Sequence, residues 1–217
     1  THDEFRRKKG TFKTVINNLE LLKKYNISYA IKYTLSKETI DDVKDLIKLI
    51  AAKGAKEFNI RRVIAVGNAN ADMLVSNETY KKIIKEIIQE CNELSINFKT
   101  GDPLLIPIFP EIFGIDLKHD DINKIYAGCQ AGDEIIYIDY KGNVGACSYI
   151  PIFADNIKEK SLDDILKNNK LFKDLRDYKE KLKGKCTKCD YKMICGGCRA
   201  SALALKKSLF EEDPLCL

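Results

Sequence analysis

Cysteine is the residue type in this sequence whose spacing points most directly to chemistry. Four cysteines lie within the thirteen residues from 186 to 198, separated by two, five and two residues: Cys186, Cys189, Cys195 and Cys198. Thiolates are the preferred ligands of zinc and of iron–sulfur clusters. The Gly196-Gly197 pair within this segment lets the backbone turn tightly beside a cofactor. The segment therefore predicts a metal site.

Three further cysteines, Cys129, Cys147 and Cys216, lie on either side of the central four. The even total of eight makes a disulfide framework conceivable. Such frameworks are typical of small secreted domains, whereas this Lys-rich chain has 217 residues and no apolar signal segment at its start.

A structural zinc site is the second interpretation of the cysteine pattern, because two Cys-x2-Cys pairs are typical of zinc sites. The usual gap between such pairs is about fifteen residues or more, and here it is five. Zinc would also leave the three outer cysteines without a role. The pattern therefore favours iron–sulfur clusters, which use all seven.

The composition is that of a soluble globular protein, with 45% hydrophobic and 32% charged residues. The net charge of +5 is concentrated between residues 158 and 192, where eleven Lys and one Arg stand against seven acidic residues. A solvated helical surface accounts for this stretch. Alternatively, its cations offset the negative charge of thiolate-bound clusters. Nucleic acid is not indicated, because no base-reading module accompanies the lysines.

The first 100 residues alternate between helical and strand patterns, which predicts parallel βαβ units. Helices are predicted from Thr11, which is interpreted as an N-cap, from Ser36 and from Ser76 or Asn77, and strands over 27–35 and 57–66. Ser36 is expected to cap the second helix, and Gly54 lies just past its end. Cys91 falls in the apolar stripe of the third helix and is interpreted as a core residue. His2 and His119 have no partners of suitable spacing, so neither supports a histidine-based active site.

Regular periodicity fades between residues 97 and 125, where three prolines interrupt the chain, and we expect a domain boundary there. The segment EIIYIDYKGNVGAC predicts a β-hairpin that ends at Cys147. Ser161 is expected to open a single helix through SLDDILKNNKLFKDLRDY. The central cysteines follow this helix, and Asp213-Pro214 precedes Cys216.

The order of the cysteines and the short sequence motifs around them resemble the SPASM domain of radical S-adenosylmethionine enzymes. Cys129, Gly142 and Cys147 are followed, after a long gap, by the central four and by Cys216. The flanking sequence motifs also resemble those of this domain: CQAG at 129–132, YKGNV at 140–144, CGGCRA at 195–200 and EDPLC at 212–216. Upstream, DEFRRKKGTFKTVINNLELLKK and RRVIAVGNA resemble the fourth to sixth βα units of the same enzymes. The likeness is to maturases of pyrroloquinoline quinone, of haem and haem d1, and of peptides.

This resemblance implies an α/β fold in three parts. Residues 1–100 would form the C-terminal half of a partial (β/α)6 TIM-like barrel, 101–126 a linking segment, and 127–217 a small α+β SPASM domain. The domain would bind two auxiliary [4Fe–4S] clusters. The resemblance assigns the distal cluster to Cys186, Cys189, Cys195 and Cys216. It assigns the proximal cluster to Cys129, Cys147 and Cys198, without a fourth protein thiolate.

The sequence departs from the family in two respects. The Cys-x3-Cys-x2-Cys loop that holds the radical-generating cluster does not occur in it, so we expect the C-terminal part of such an enzyme, inactive alone. Two residues rather than the commonest three separate Cys195 from Cys198. The resemblance implies four cosubstrate contacts at strand ends: Thr34, Arg62, Val66 and Gly67. Simpler explanations serve three of these residues equally well: strand propensity for Thr34, pairing with a barrel carboxylate for Arg62 and a strand-ending turn for Gly67.

For the intact enzyme, the resemblance implies S-adenosylmethionine and a peptide, protein or tetrapyrrole-like substrate. It also implies an electron partner such as ferredoxin or flavodoxin in a cytoplasmic setting, with no nucleic-acid or membrane partner. The alternative is a non-catalytic module, either an iron–sulfur electron carrier or a zinc-binding domain. Brown protein after anaerobic reconstitution would favour the first hypothesis, and colourless protein with one zinc the second.

Overall fold

A computed structural model describes residues 1–114 and 128–216 of the chain. These residues form two compact units, which we call the first and second units. The first comprises Thr1–Val63 and Ala69–Gly101, and the second comprises Ile64–Asn68 and the described part of Asp102–Leu217. His119 and residues 115–126 of the predicted linking segment 101–126 lie outside the described residues. The predicted boundaries at 100 and 126 therefore stay predictions.

The first unit is built on a parallel three-stranded sheet, as the alternation of helices and strands predicts. Its strands pair in the order β1-β2-β3. The bounds are β1 Ala30–Leu35, β2 Glu57–Arg62, β3 Asn97–Thr100, α1 His2–Phe5, α2 Thr11–Lys24, α3 Val43–Lys53 and α4 Asn77–Glu93, with 3-10 turns at Ile40–Asp42 and Ala71–Met73. The sequence analysis missed β3, because four residues are too few to establish a period.

Two of the four predicted helix ends in this unit are confirmed. The prediction that Thr11 is the N-cap of α2 is wrong, because Thr11 is already helical and Gly10 is the N-cap. The Ser76 hydroxyl accepts a hydrogen bond from the Thr79 N–H and caps α4, and Gly54 ends α3 with a φ of +88°. The prediction that Ser36 caps α3 is wrong. The Ser36 N–H instead donates to the Thr39 hydroxyl. The 3-10 turn at Ile40–Asp42 then intervenes, and α3 begins only at Val43.

The core of the first unit lies between the sheet and the apolar faces of α3 and α4. Cys91 is fully buried in it, which confirms the interpretation as a core residue. The apolar stripe of α2 is less buried than its spacing indicates, since Leu19 is its one buried member and Phe12 and Val15 are exposed. These α2 side chains line a cavity of about 700 Å³ together with β1 and α3.

The second unit contains an antiparallel sheet of strand order β4-β5-β6. Its bounds are β4 Tyr137–Ile138, β5 Asn143–Gly145, β6 Phe153–Asn156, α5 Phe109–Phe113, α6 Leu162–Asn168, α7 Lys170–Arg176 and α8 Arg199–Lys206, with 3-10 turns at Pro103–Ile108 and Gly184–Lys188. The predicted hairpin is formed by β4 and β5, while β6 was not predicted. The single helix expected from Ser161 is divided into α6 and α7.

Asn169 causes that division. It ends α6 and caps α7, with φ −70° and ψ +138°, and its side-chain oxygen accepts from the Leu171 N–H. Its side-chain amide donates to the carbonyl of Ala154 in β6. Ser161 caps α6 as predicted, by accepting from the Asp164 N–H at 3.2 Å. A tertiary contact with β6 therefore stabilises a break that helical periodicity does not reveal.

Both units combine helices with small sheets, so the α/β class is observed. None of the helices within residues 1–114 and 128–216 is long and apolar enough to cross a membrane.

Candidate metal centre

The seven cysteines of the predicted metal site all lie in the second unit. Cys147 follows β5, Cys186 lies in the 3-10 turn Gly184–Lys188, and Cys198 directly precedes α8. All eight cysteines of the chain are among the described residues, and all are free thiols. The disulfide framework that an even count allows is therefore not formed.

The charges of neighbouring cysteines help to raise the pKa of three of these thiols, Cys186, Cys195 and Cys216, and Cys189 is one of the contributing charges for all three. Burial, followed by the charges of Cys216, Asp213 and Cys189, raises the pKa of the Cys195 thiol to about 12, against a lowering by the Gly197 N–H. Burial also raises the pKa of Cys216, with Cys186 as the next cause. Because charges shift a pKa only over short distances, these four thiols form one local group.

Cys129 and Cys198 form a second group. Burial raises the pKa of Cys198 to about 12, and the charge of Cys129 is the next cause. Cys129, Cys147 and Cys198 all pack against the apolar cluster around Phe172 and Leu175. Cys186 is a buried member of that cluster, whereas Cys195 and Cys216 pack in a separate cluster with Leu104 and Ile106.

The thiols as placed do not form a cage for a single ion. No three His, Cys, Asp or Glu side chains in the described part of the chain lie close enough together to hold one metal ion. A tetrahedral zinc site places its sulfurs about 2.3 Å from the metal, and hence about 4 Å from one another. An iron–sulfur cluster spans several atoms, so its thiolate ligands stand farther apart. The arrangement is therefore not a preformed zinc site.

Glycines bring the backbone of the two thiol groups together. Gly196 and Gly197 have φ values of +61° and +59°, in the left-handed region that favours glycine. A Cβ on Gly196 would lie 2.5 Å from the Tyr178 hydroxyl, and one on Gly197 would lie 2.7 Å from Cβ of Asp213. A Cβ on Gly128 would lie 2.7 Å from the Cys195 carbonyl oxygen. Side chains at these positions would push the cysteine-bearing segments apart.

Cys195 is additionally held by two hydrogen bonds at its sulfur. The thiol donates to the Pro103 carbonyl at 3.2 Å, and the sulfur accepts from the Gly197 N–H at 3.4 Å. Metal ligation requires a thiolate, which has no proton to donate. Binding a cluster would therefore release the bond to Pro103 and retain the one from Gly197.

Asp213 connects the C-terminal segment to the last of the central cysteines. Its side chain is almost fully buried, with 2% exposure. Oδ2 accepts from the Cys198 N–H at 2.8 Å, while Oδ1 accepts from the Ser201 hydroxyl at 3.1 Å and from the Leu215 N–H at 2.9 Å. One carboxylate therefore fixes both the start of α8 and the loop that carries Cys216.

Sequence reasoning missed three buried side chains at this centre: Tyr178, Arg199 and Asp213. The Tyr178 hydroxyl accepts from the Cys129 N–H at 3.3 Å. Arg199 lies in the sequence motif CGGCRA, and Asp213 lies in the sequence motif EDPLC. Their charge beside predicted ligands was an available signal, whereas nothing in the local sequence marks Tyr178.

Several lysines of the basic stretch form ion pairs with carboxylates near the protein surface. The pairs are Lys160–Asp155, Lys167–Asp163, Lys170–Asp174 and Lys181–Asp174. These pairs support the interpretation of the stretch as a solvated helical surface.

The four predicted cosubstrate residues fall in different units. Thr34 and Arg62 lie at the carboxyl ends of β1 and β2 in the first unit. Arg62 is 6% exposed, and its guanidinium carbon lies 4.3 Å from the centroid of the Tyr80 ring. Val66 and Gly67 belong to the second unit, where Gly67 has a φ of +63° and open space at its Cβ position. Their roles remain predictions.

Residues 129–190 match a family described as an iron–sulfur cluster-binding domain, SPASM. The whole chain is 31% identical over 223 residues to the AdoMet-dependent heme synthase of Methanosarcina barkeri and spans 64% of that protein. It is 27% identical over 165 residues to the sporulation killing factor maturation protein SkfB of Bacillus subtilis, covering 76% of this chain and 37% of SkfB. The chain thus spans less than two thirds of either relative.

Among solved structures, Streptococcus suis SuiB superposes with a TM-score of 0.71 and 18% identity, over 93% of this chain and 49% of SuiB. SuiB has also been solved bound to the precursor peptide SuiA. The enzyme anSMEcpe with bound AdoMet has a TM-score of 0.65 and 18% identity, over 95% of this chain and 54% of that one. At these identities the likeness is one of fold.

The second unit therefore contains a SPASM iron–sulfur cluster-binding domain. The chain is related to the radical S-adenosylmethionine enzymes that carry this domain, and it corresponds to the part that bears it.

Proposed function

We propose that this chain serves as the auxiliary-cluster part of a radical S-adenosylmethionine maturase and binds two [4Fe–4S] clusters. The distal cluster is assigned to Cys186, Cys189, Cys195 and Cys216, and the proximal cluster to Cys129, Cys147 and Cys198. The observation that most supports this is which cysteine charges lie close enough to raise the pKa of the other thiols. One group contains the four distal cysteines and the other contains Cys129 with Cys198.

The donor set suits such clusters. Free thiols are available on both sides of the turn at Gly196, and glycine backbone allows close approach there. The buried guanidinium of Arg199 has donors without acceptors among the described residues, as expected beside a negatively charged group. When bound, the clusters supply one-electron transfer or an iron that engages substrate. The chain's own part is to orient the ligands and to shield them from water.

For the first unit, we propose residues 1–100 as the later βα units of a partial (β/α)6 barrel, joined by 101–126 to the cluster domain at 127–217. The parallel order β1-β2-β3 and the fold likeness to AdoMet-bound anSMEcpe support this. Thr34, Arg62, Val66 and Gly67 are proposed as S-adenosylmethionine contacts in the intact enzyme. Thr34 and Arg62 lie at the carboxyl ends of strands, where barrel enzymes build their sites.

The substrate class is proposed as a peptide, a protein or a tetrapyrrole. The names of the relatives support both kinds, since one is a heme synthase and another matures a sporulation killing factor. We further propose an electron partner of the ferredoxin or flavodoxin type. A reducing cytoplasmic setting is consistent with eight free thiols.

Paired cysteine variants test the assignment of ligands. After anaerobic reconstitution, Cys186→Ala/Cys189→Ala and Cys129→Ala/Cys147→Ala should each retain about four of about eight iron atoms. The control Cys91→Ala, in the first unit, should retain them all. Undiminished iron in either double variant would contradict the assignment of that cluster.

A further inference from the structure

Arg199 is the largest fully buried side chain among the described residues, with 0% exposure. Nη1 donates to the carbonyls of Leu209 and Glu211, at 2.8 and 2.7 Å. Nε and Nη2 are buried as well, and neither has a hydrogen-bond partner in the described part of the chain. Because both partners of Nη1 are neutral, hydrogen-bonded carboxylates do not balance the guanidinium charge.

A buried, permanently charged group whose N–H donors have no hydrogen-bond acceptor lowers the stability of the fold, unless a bound group supplies the acceptor. The contact with Tyr178, whose ring centroid lies 5.4 Å from the guanidinium carbon, is too weak to replace an acceptor. An acceptor that is negative and absent from the polypeptide would satisfy the remaining N–H groups. A thiolate-ligated iron–sulfur cluster is such an acceptor, because its sulfurs take hydrogen bonds from the protein.

The position of Arg199 selects one of the two clusters. The residue directly follows Cys198 in the chain, and Nη2 lies 2.9 Å from where a Cβ on Gly197 would be. The carbonyls that hold Nη1 belong to the segment 209–212, which is bonded to the residues just before Cys186. The Lys183 N–H donates to the Phe210 carbonyl, and the Lys185 N–H donates to the Glu212 carboxylate. The guanidinium therefore lies beside the thiol group that contains Cys186.

We propose that Arg199 is a positioning and charge-compensating residue of the cluster held by Cys186, Cys189, Cys195 and Cys216, with Nε and Nη2 donating hydrogen bonds to its sulfurs. The proposal rests on the function proposed above. A fixed cation and hydrogen bonds to sulfur stabilise the reduced, more negative state of a cluster. Arg199 would thus raise the reduction potential of this cluster. Arginine suits the task, since its charge is permanent and its donors are held in a planar fork.

Pulsed electron paramagnetic resonance tests the contact directly. The full chain carrying Cys129→Ala/Cys147→Ala, which isolates the Cys186 cluster, is labelled with ¹⁵N at the guanidino nitrogens of arginine and then reconstituted and reduced. We expect ¹⁵N coupling to the cluster spin. The coupling should disappear in Arg199→Lys, whose amine is unlabelled, and persist in Arg176→Lys. Arg176 is the matched control, because it is exposed and donates to the Leu166 carbonyl.

Redox titration of the same proteins supplies the second readout. The midpoint potential should shift to more negative values in Arg199→Gln, shift less in Arg199→Lys, and stay unchanged in Arg176→Lys. Absence of ¹⁵N coupling in the labelled parent, or coupling that survives Arg199→Lys, would overturn the proposal. So would equal potentials in Arg199→Gln and the parent at equal iron content. If the Arg199 variants lose iron, the parent spectrum alone decides. A parent without any cluster signal would instead refute the proposed function.

Discussion

The backbone N–H of Cys198 donates a 2.8 Å hydrogen bond to Oδ2 of Asp213, fifteen residues further along the chain. This bond joins a predicted ligand of the proximal cluster to the loop that presents Cys216, a predicted ligand of the distal one. The same carboxylate accepts from Ser201 and Leu215. The two ligand groups are therefore mechanically coupled through one buried side chain.

Replacing Asp213 with asparagine should weaken this coupling. An amide has one acceptor oxygen in place of two, so at least one buried donor loses its partner, at a cost of about 1–3 kcal/mol. Urea denaturation of the reconstituted protein measures the loss of unfolding free energy, and iron release to a chelator should become faster. The control Asp177→Asn alters an exposed carboxylate. Equal stability of the two variants would contradict the role of Asp213.

The glycine turn between Cys195 and Cys198 predicts a second result. Gly196→Ala places a Cβ 2.5 Å from the buried Tyr178 hydroxyl at a φ of +61°, and it should combine backbone strain of about 1–2 kcal/mol with overpacking of about 1–3 kcal/mol. Gly114→Ala is the matched control, since its φ is +65° and its Cβ position is open. The thermal midpoint should therefore fall clearly further for Gly196→Ala. Similar falls in both variants would show that Tyr178 does not constrain the turn.

Sequence patterns predicted the long elements of the fold and failed where tertiary contacts decide. The stripe of α4 and the capping by Ser76 follow local rules, and both were found as expected. The break at Asn169 depends on its bond to Ala154 in β6, fifteen residues away, which periodicity does not register. The short strands β3 and β6 have too few residues to show alternation.

The centre shows the same division between local and distant information. Cysteine spacing identified seven candidate ligands, because metal ligands can be recognised from their residue type and from their separation along the chain. The supporting residues depend on folding: Tyr178 bonds to Cys129 across 49 residues, and the guanidinium of Arg199 turns toward Leu209 and Glu211. Arg199 and Asp213 lie in recognised sequence motifs, but only the folded structure shows that both side chains are buried.

Cys91 provides a prediction on pH. Burial, with a smaller effect from Glu90, raises the pKa of its thiol from an ordinary value near 9 to about 11. Below pH 9 the thiol is protonated in both states, and its contribution to stability is complete. Between pH 9 and 11 the thiol ionises in the unfolded state first, so stability falls as the pH rises, by on the order of 1 kcal/mol from pH 9 to pH 10.

Comparison with Cys91→Ala isolates this effect, since the remaining titrating groups are common to both proteins. The difference in unfolding free energy between wild type and Cys91→Ala, measured by urea denaturation, should be constant from pH 7 to 8.5 and narrow above pH 9. A difference that stays constant up to pH 10 would show that the Cys91 thiol ionises equally in both states. In native protein at pH 8, the same burial should protect Cys91 from alkylation by iodoacetamide.

The iron and sulfide content of the anaerobically reconstituted chain tests the two-cluster assignment most directly. Two [4Fe–4S] clusters predict brown protein with about eight iron and eight sulfide per chain. Colourless protein with one zinc per chain and no sulfide would contradict the assignment, as would iron that saturates at about four with all seven cysteines intact.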